Sequence, residues 1–132
     1  MKDRRFVMEE TIAASIEEVF DAWTSSQGHT AMTGAEAQCD AQDGSNFSAW
    51  DGYIEGTNRQ MQRPNKIVQA WRTAQFTDAE EDSLLTVELT AENNATRIVL
   101  THENLPEHGA QYEQGWVDHY FEPMKKHFSS PT

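Results

Sequence analysis

The sequence predicts an α+β fold: a curved antiparallel sheet of about six to seven strands around a long C-terminal helix, with one or two short helices after the first strand. Three observations carry this. Ser15-Ile16-Glu17-Glu18 spells a capping box ahead of apolar residues at helical spacing. From residue 35 to 104, short segments of alternating polarity are separated by turn signals. Tyr112, Trp116, Tyr120, Met124 and Phe128 then recur at every fourth position.

Phe6, Met8 and Ile12 share one face of a first strand, with Arg5, Val7, Glu9 and Thr11 on the other. Glu10 falls on the apolar face, which predicts a bulge or a strand end nearby. In the helix that follows, the Ser15 hydroxyl is placed to accept from the Glu18 backbone N–H while the Glu18 carboxylate reaches back. Ile16, Val19, Phe20 and Trp23 form its apolar face, and the acids of its first turn suit the helix dipole. Thr24, Ser25 and Ser26 end it or cap another, a short helix reaching Met32 before Thr33-Gly34. Asp43-Gly44 and Asp51-Gly52 are hairpin-type turns, and the segments around them carry Phe47, Trp50, Tyr53 and Ile54. Arg63-Pro64-Asn65 makes another turn, Ile67 to Phe76 a strand, and Asp78, Glu80, Glu81 and Asp82 a solvated acidic loop. Leu85, Val87 and Leu89 alternate with Thr86 and Glu88. After the turn Glu92-Asn93-Asn94-Ala95, Ile98, Leu100 and His102 alternate with Arg97, Val99 and Thr101. Asn104-Leu105-Pro106 breaks that strand. On the last helix, a spacing of four drifts by about 40° per step, so the aromatic stripe winds round it. Pro123 within the stripe removes a backbone donor and predicts a bend near His119–Tyr120. Lys125, Lys126 and His127 suit the C-terminus.

The chain has 132 residues and a mass of 15.0 kDa, the size of one domain, read here as spanning residues 1–132. Ten basic against 22 acidic residues leave a net charge of −12, which argues against nucleic-acid and anionic-membrane partners, since both need a basic face. The acidity itself reads as a solubility device. Hydrophobic residues make up only 37%, but 4 Trp, 3 Tyr and 6 Phe recur along the chain and argue against disorder. Cys39 stands alone and makes no internal disulfide. With no signal peptide and no apolar run of membrane length, the expected localisation is cytoplasmic.

Phosphate-loop, dinucleotide, nucleophile-elbow and zincin motifs are all missing. His108 and His119, eleven positions apart, face the same way but lie about 16 Å apart along a helix, too far to share a metal. No helical histidine pair has a spacing of three or four, so a metal site would need different elements, such as His102 with His29, and none is expected. No cofactor is expected, and no catalytic residue is assigned. His102 follows Ile98 and Leu100 on one strand face. It reads as a hydrogen-bonded histidine at the edge of the core, or as a polar handle or proton-transfer group for a ligand. The aromatic stripe reads as plain core, or as the lid of a cavity in which the polar tips of Tyr and Trp are satisfied.

Taken in order, these residues resemble the activator of heat shock protein 90 ATPase-like family of the START-like (SRPBCC, birch-pollen-allergen-like) superfamily, over about Arg5 to Phe128. The carrying segments are Ser15 to Trp23, Thr33-Gly34-Ala35, Gly44 to Gly52, Ile54-Glu55-Gly56, Trp71-Arg72, Ile98 to His102, Gly115-Trp116 and Tyr120 to Pro123. The resemblance implies a helix-grip fold with a cavity between sheet and helix, where relatives in the superfamily hold lipids, sterols, polyketides or aromatic molecules. The block from Thr33 to Gly56 looks most like the C-terminal domain of the eukaryotic co-chaperone. That protein has a further N-terminal domain docking the chaperone, for which 132 residues are expected to leave no room.

The leading expectation is therefore a non-enzymatic domain holding a small hydrophobic or aromatic ligand. The candidate lining is Trp23, Met32, Phe47, Trp71, Leu85, Val87, Leu100, His102, Trp116, Tyr120 and Met124. The alternatives are a chaperone-associated regulator, with a chaperone as partner, and a cyclase-like or hydrolytic enzyme using the same cavity, for which His102 is the one polar group the sequence nominates.

Overall fold

A computed structural model describes residues 5–128. β1 (Phe6–Ile12) leads into α1 (Ile16–Thr24) and α2 (Ser26–Thr33). Five strands follow: β2 (Asn46–Ala49), β3 (Ile54–Gln62), β4 (Lys66–Thr73), β5 (Ser83–Glu92) and β6 (Ala95–Glu103). A helical segment of four parts closes the chain: a 3-10 turn (Glu107–Ala110), α3 (Gln111–Trp116), a π-turn (Val117–Phe121) and α4 (Glu122–Phe128). The six strands form one antiparallel sheet in the order β1-β6-β5-β4-β3-β2, which with the long C-terminal helix is the helix-grip arrangement.

Local chemistry sets the helix boundaries. Both bonds of the capping box form at Ser15, at 3.1 Å each. Ser25 caps α2 through Gly28 N–H, and Gly34 ends it at φ 85°, a conformation glycine adopts without a Cβ penalty. Glu10 produces no bulge, since β1 stays in register with β6 from Phe6↔His102 to Ile12↔Thr96, and the strand ends two residues beyond it, at Ile12. Its carboxylate is accommodated instead by Lys125 of α4, at 3.1 Å.

Residues 35–45 contribute one bridge to the sheet, Gln38↔Ser48, rather than a strand. Asn58 fastens this segment, its amide donating to Asp40 O and Ser45 Oγ while Gln69 donates to its Oδ1. The acidic loop is in part a docking strap: Arg72 donates to Asp82 at 2.7 Å and to the Thr77 and Glu80 carbonyls. At His119–Tyr120, where Pro123 predicts a bend, the helix widens into the π-turn, with Glu122 N–H reaching Val117 O. Proline offers no N–H to the carbonyl four residues back and its ring crowds it. The wider turn also absorbs the drift of the fourfold stripe, so Trp116, Tyr120 and Met124 are all buried. One face of the sheet supplies Leu85, Val87, Leu89, Ile98 and Leu100 to a core shared with Phe20, Trp23 and Phe121 of the helices.

Candidate functional site

A cavity of about 230 Å³ opens between the β2–β3 turn, β4 and the C-terminal helical segment. Its wall is almost wholly apolar: Trp50, Tyr53, Ile54, Trp71, Tyr112, Gly115, Trp116, His119 and Tyr120. Trp71 comes from β4 and touches Tyr112 and Trp116, with ring centroids 5.1 and 5.7 Å away. Trp116 and Tyr120 pack at 4.7 Å, and behind them Trp23 of α1 stacks on both. Such ring pairs hold one another more firmly than area alone implies. This wall is therefore a rigid aromatic floor.

Two buried histidine networks fix it from behind. His102 Nδ1 accepts from Trp116 Nε1 at 3.1 Å, and its Nε2–H donates to Ser83 Oγ at 2.8 Å, whose hydroxyl donates to Trp71 O. His29 Nδ1–H donates to Trp23 O at 2.8 Å, and its Nε2 accepts from the Tyr120 hydroxyl at 2.7 Å. Tyr112 pairs with Thr73 Oγ1 at 2.6 Å. Burial pushes the Tyr112 phenol up to about 12, so it stays protonated at neutral pH. Burial also pushes His102 down to about 3 and lowers His29.

These depressed histidines make a pH prediction. The unfolded chain binds their protons near pH 6.5, whereas folded His102 binds its proton only near 3. Their contribution is complete above 6.5 and falls as pH drops through that value. His102 adds up to about 1.4 kcal/mol of lost stability per pH unit, and His29 adds to the loss in the same direction. Urea unfolding between pH 7.5 and 4.5 should show this slope, and His102→Gln should remove about one proton's share. An unchanged slope in that variant would contradict the assignment.

The turn itself is strained. Trp50 and Asp51 have φ of 53° and 57°, followed by Gly52 at 89°. The left-handed conformation costs a bulky residue such as Trp50 about 1–2 kcal/mol. It is held by Asp51, whose N–H donates to Glu36 O at 3.0 Å and whose carboxylate accepts from Glu36 N–H at 3.1 Å. The indole of Trp50 lies edge-on to His119, with centroids 5.1 Å apart. Its Nε1 is buried without a hydrogen-bond partner, alone among the side-chain nitrogens and oxygens of the described residues.

Of the residues the sequence nominated for a lining, Trp71, Trp116 and Tyr120 stand on this wall. Trp23, Met32, Phe47, Leu85, Val87, Leu100 and Met124 lie in the packed core, and His102 is fully buried with both ring nitrogens engaged by Trp116 and Ser83. The imidazole on the wall is His119, which the fourfold stripe passes over. Trp50, Tyr53 and Ile54 belong to the site through the Asp51-Gly52 turn, whose flanking aromatics were its signal. Among the described residues, no three His, Cys, Asp or Glu side chains gather into a group able to hold a metal. No helix among them is long and apolar enough to cross a membrane. What the wall offers chemically is aromatic surface with an imidazole at its side.

Fold and cavity together define a helix-grip domain of the START-like kind. The chain belongs to the family described as Activator of Hsp90 ATPase homolog 1-like protein, whose model matches residues 13–129. It is similar to the Activator of 90 kDa heat shock protein ATPase homolog of Dictyostelium discoideum, 23% identical over 124 residues. That match covers 92% of this chain but 32% of the relative, so the chain spans about a third of the relative's length. The crystal structure of an HSP90 activator from Plasmodium falciparum is similar throughout, with TM-score 0.83, 26% identity, and 92% of this chain and 94% of that one covered. The solution structure of the Aha1 dimer from Colwellia psychrerythraea shares the fold, with TM-score 0.79, 14% identity, and 98% and 99% of the two chains covered.

Proposed function

We propose that this protein is a binding domain for a small, planar aromatic ligand held between the β2–β3 turn and the C-terminal helix. The observation that carries this is the cavity: about 230 Å³ walled by aromatic rings. A cavity of about 150 Å³ accepts benzene, and drug-sized ligands need about 300 Å³ or more. The space therefore suits one substituted ring or two fused rings, not a sterol or a lipid chain. Native mass spectrometry of freshly purified protein should show a discrete excess mass that disappears on denaturation. A bare mass, together with no rise in Tm from millimolar aromatic probes, would overturn the reading.

A second reading is a chaperone-associated regulator. It is favoured by the family and by the likeness to the Plasmodium falciparum HSP90 activator over nearly the whole chain. Under this reading, the added protein raises the ATPase turnover of an Hsp90-class chaperone from the same organism. Unchanged turnover would set it aside.

A further inference from the structure

We infer that the aromatic ligand carries an uncharged hydroxyl on its ring edge, which stays at the mouth of the cavity, and that His119 is the residue that binds it. The inference rests on the aromatic-binding reading and narrows it. The other polar tips of the wall are engaged or sealed. Tyr112 is paired with Thr73, Trp116 Nε1 donates to His102 and the Tyr120 hydroxyl donates to His29. Tyr53 gives its hydroxyl proton to Gln75. Trp50 Nε1 has less than 1 Å² of accessible area, out of reach of solvent and ligand alike. His119 differs on each count. It lines the cavity, its side chain is exposed, and among the described residues no hydrogen bond or ion pair holds its ring nitrogens. Half a turn of such an unheld ring exchanges its nitrogens with carbons, so one of the two orientations turns a nitrogen toward the mouth. A polar substituent left deep among the aromatic rings would lose its water without gaining a partner. At the mouth, both water and His119 reach it.

Charge decides the kind of substituent. The exposed acids Asp118 and Glu122 flank His119 in the chain, and Asp51, also exposed, adjoins Trp50, whose ring His119 touches. Among the described residues, no lysine or arginine lines the cavity. Lys125, the nearest lysine in sequence, is held by Glu10 and Glu122. A carboxylate or phosphate would meet these acids on a chain of net charge −12, so the substituent is neutral. A hydroxyl fits because it accepts from an imidazole N–H and donates to an unprotonated ring nitrogen.

2-Naphthol and naphthalene test this, since they share a ring system and differ by one hydroxyl. Both should bind the wild type. His119→Phe keeps an aromatic ring at this exposed position and deletes both nitrogens. It should weaken 2-naphthol about fivefold and leave naphthalene within about 1.5-fold, a comparison in which the two probes' different hydration cancels. A readout that needs no variant is the pair of imidazole 15N resonances of His119 in the wild type, which should move with 2-naphthol and not with naphthalene. The anionic 2-naphthoate should bind the wild type more weakly than 2-naphthol. If neither 2-naphthol nor naphthalene binds the wild type, the aromatic-binding reading itself fails. If both bind, respond equally to His119→Phe and leave the imidazole nitrogens unshifted, the cavity reading stands and the role of His119 is overturned. Binding of 2-naphthoate as tight as that of 2-naphthol would overturn the choice of a neutral group.

Discussion

Trp116→Ala is expected to remove most of the stability of the fold. The side chain is 3% exposed and packs on Trp23, Trp71 and Tyr120, so it joins α1, β4 and the C-terminal helix in one contact set. Deleting a buried tryptophan to alanine costs about 3–5 kcal/mol. The same change leaves His102 Nδ1, fully buried, without the donor it accepts from, which adds about 1–3 kcal/mol. Against a total of about 5–15 kcal/mol, the variant is marginal or unfolded at 25 °C. Trp116→Phe keeps a ring while deleting the N–H and part of the buried volume, and should cost less than the alanine variant. A near-neutral Trp116→Ala in urea unfolding would contradict the placement of this side chain.

Gly56→Ala should be comparably severe for a different reason. Gly56 of β3 pairs with Trp71 of β4 and with Phe47 of β2. A Cβ at this position would stand 1.8 Å from Ala70 O, a backbone atom of β4, and 2.7 Å from the Phe47 ring. Neither strand can yield without disturbing the ladder that carries Trp71 to the cavity. Overpacking costs about 1–3 kcal/mol when side chains can move, and a clash with backbone exceeds that range. The expected result is a loss of at least about 3 kcal/mol, or no soluble folded protein. A variant that unfolds at the wild-type urea midpoint would show that β3 and β4 are not in this contact.

The strands and helices were legible because their signals are local. Ser15 and Glu18 write both halves of a cap within four residues, and Leu85 to Leu89 or Ile98 to His102 write the inward face by alternation. His102 was legible as an inward residue for the same reason. Its partner Trp116 was not, because that bond joins a strand to a helix 14 residues further on, and periodicity carries no information about which buried groups meet. Glu10 shows the same limit: an acid on an apolar face signals an anomaly, but its answer, Lys125, lies at the other end of the chain.

The cavity was legible only by half. The stripe marked Trp116 and Tyr120, and Trp71 stood on a strand of clear pattern. Trp50 and Tyr53 sit where the strand period breaks, at a turn of three successive positive φ angles, and alternation assigns such residues to neither face. His119 joins the wall beside the π-turn, and Pro123 foretells a disturbance there without specifying its form. Leu85, Val87 and Leu100, which alternation places on the inward face, lie in the packed core. Burial alone does not distinguish a wall from a packed interior.

The central claim is that this space between turn and helix takes an aromatic molecule. Gly115 permits a direct test, because it lines the cavity and a Cβ added there would meet nothing within 4 Å. The measurement is a naphthalene titration followed through the four indole 15N–1H resonances of the wild type and of Gly115→Leu. Trp50, Trp71 and Trp116, on the wall, should shift saturably, with a Kd of about 10 µM to 1 mM for a ligand this small, and Trp23 less. Gly115→Leu, whose side chain would fill the space, should keep the fold and lose the shifts. Wild-type resonances that do not move, or a leucine variant that binds as well as the wild type, would contradict the account.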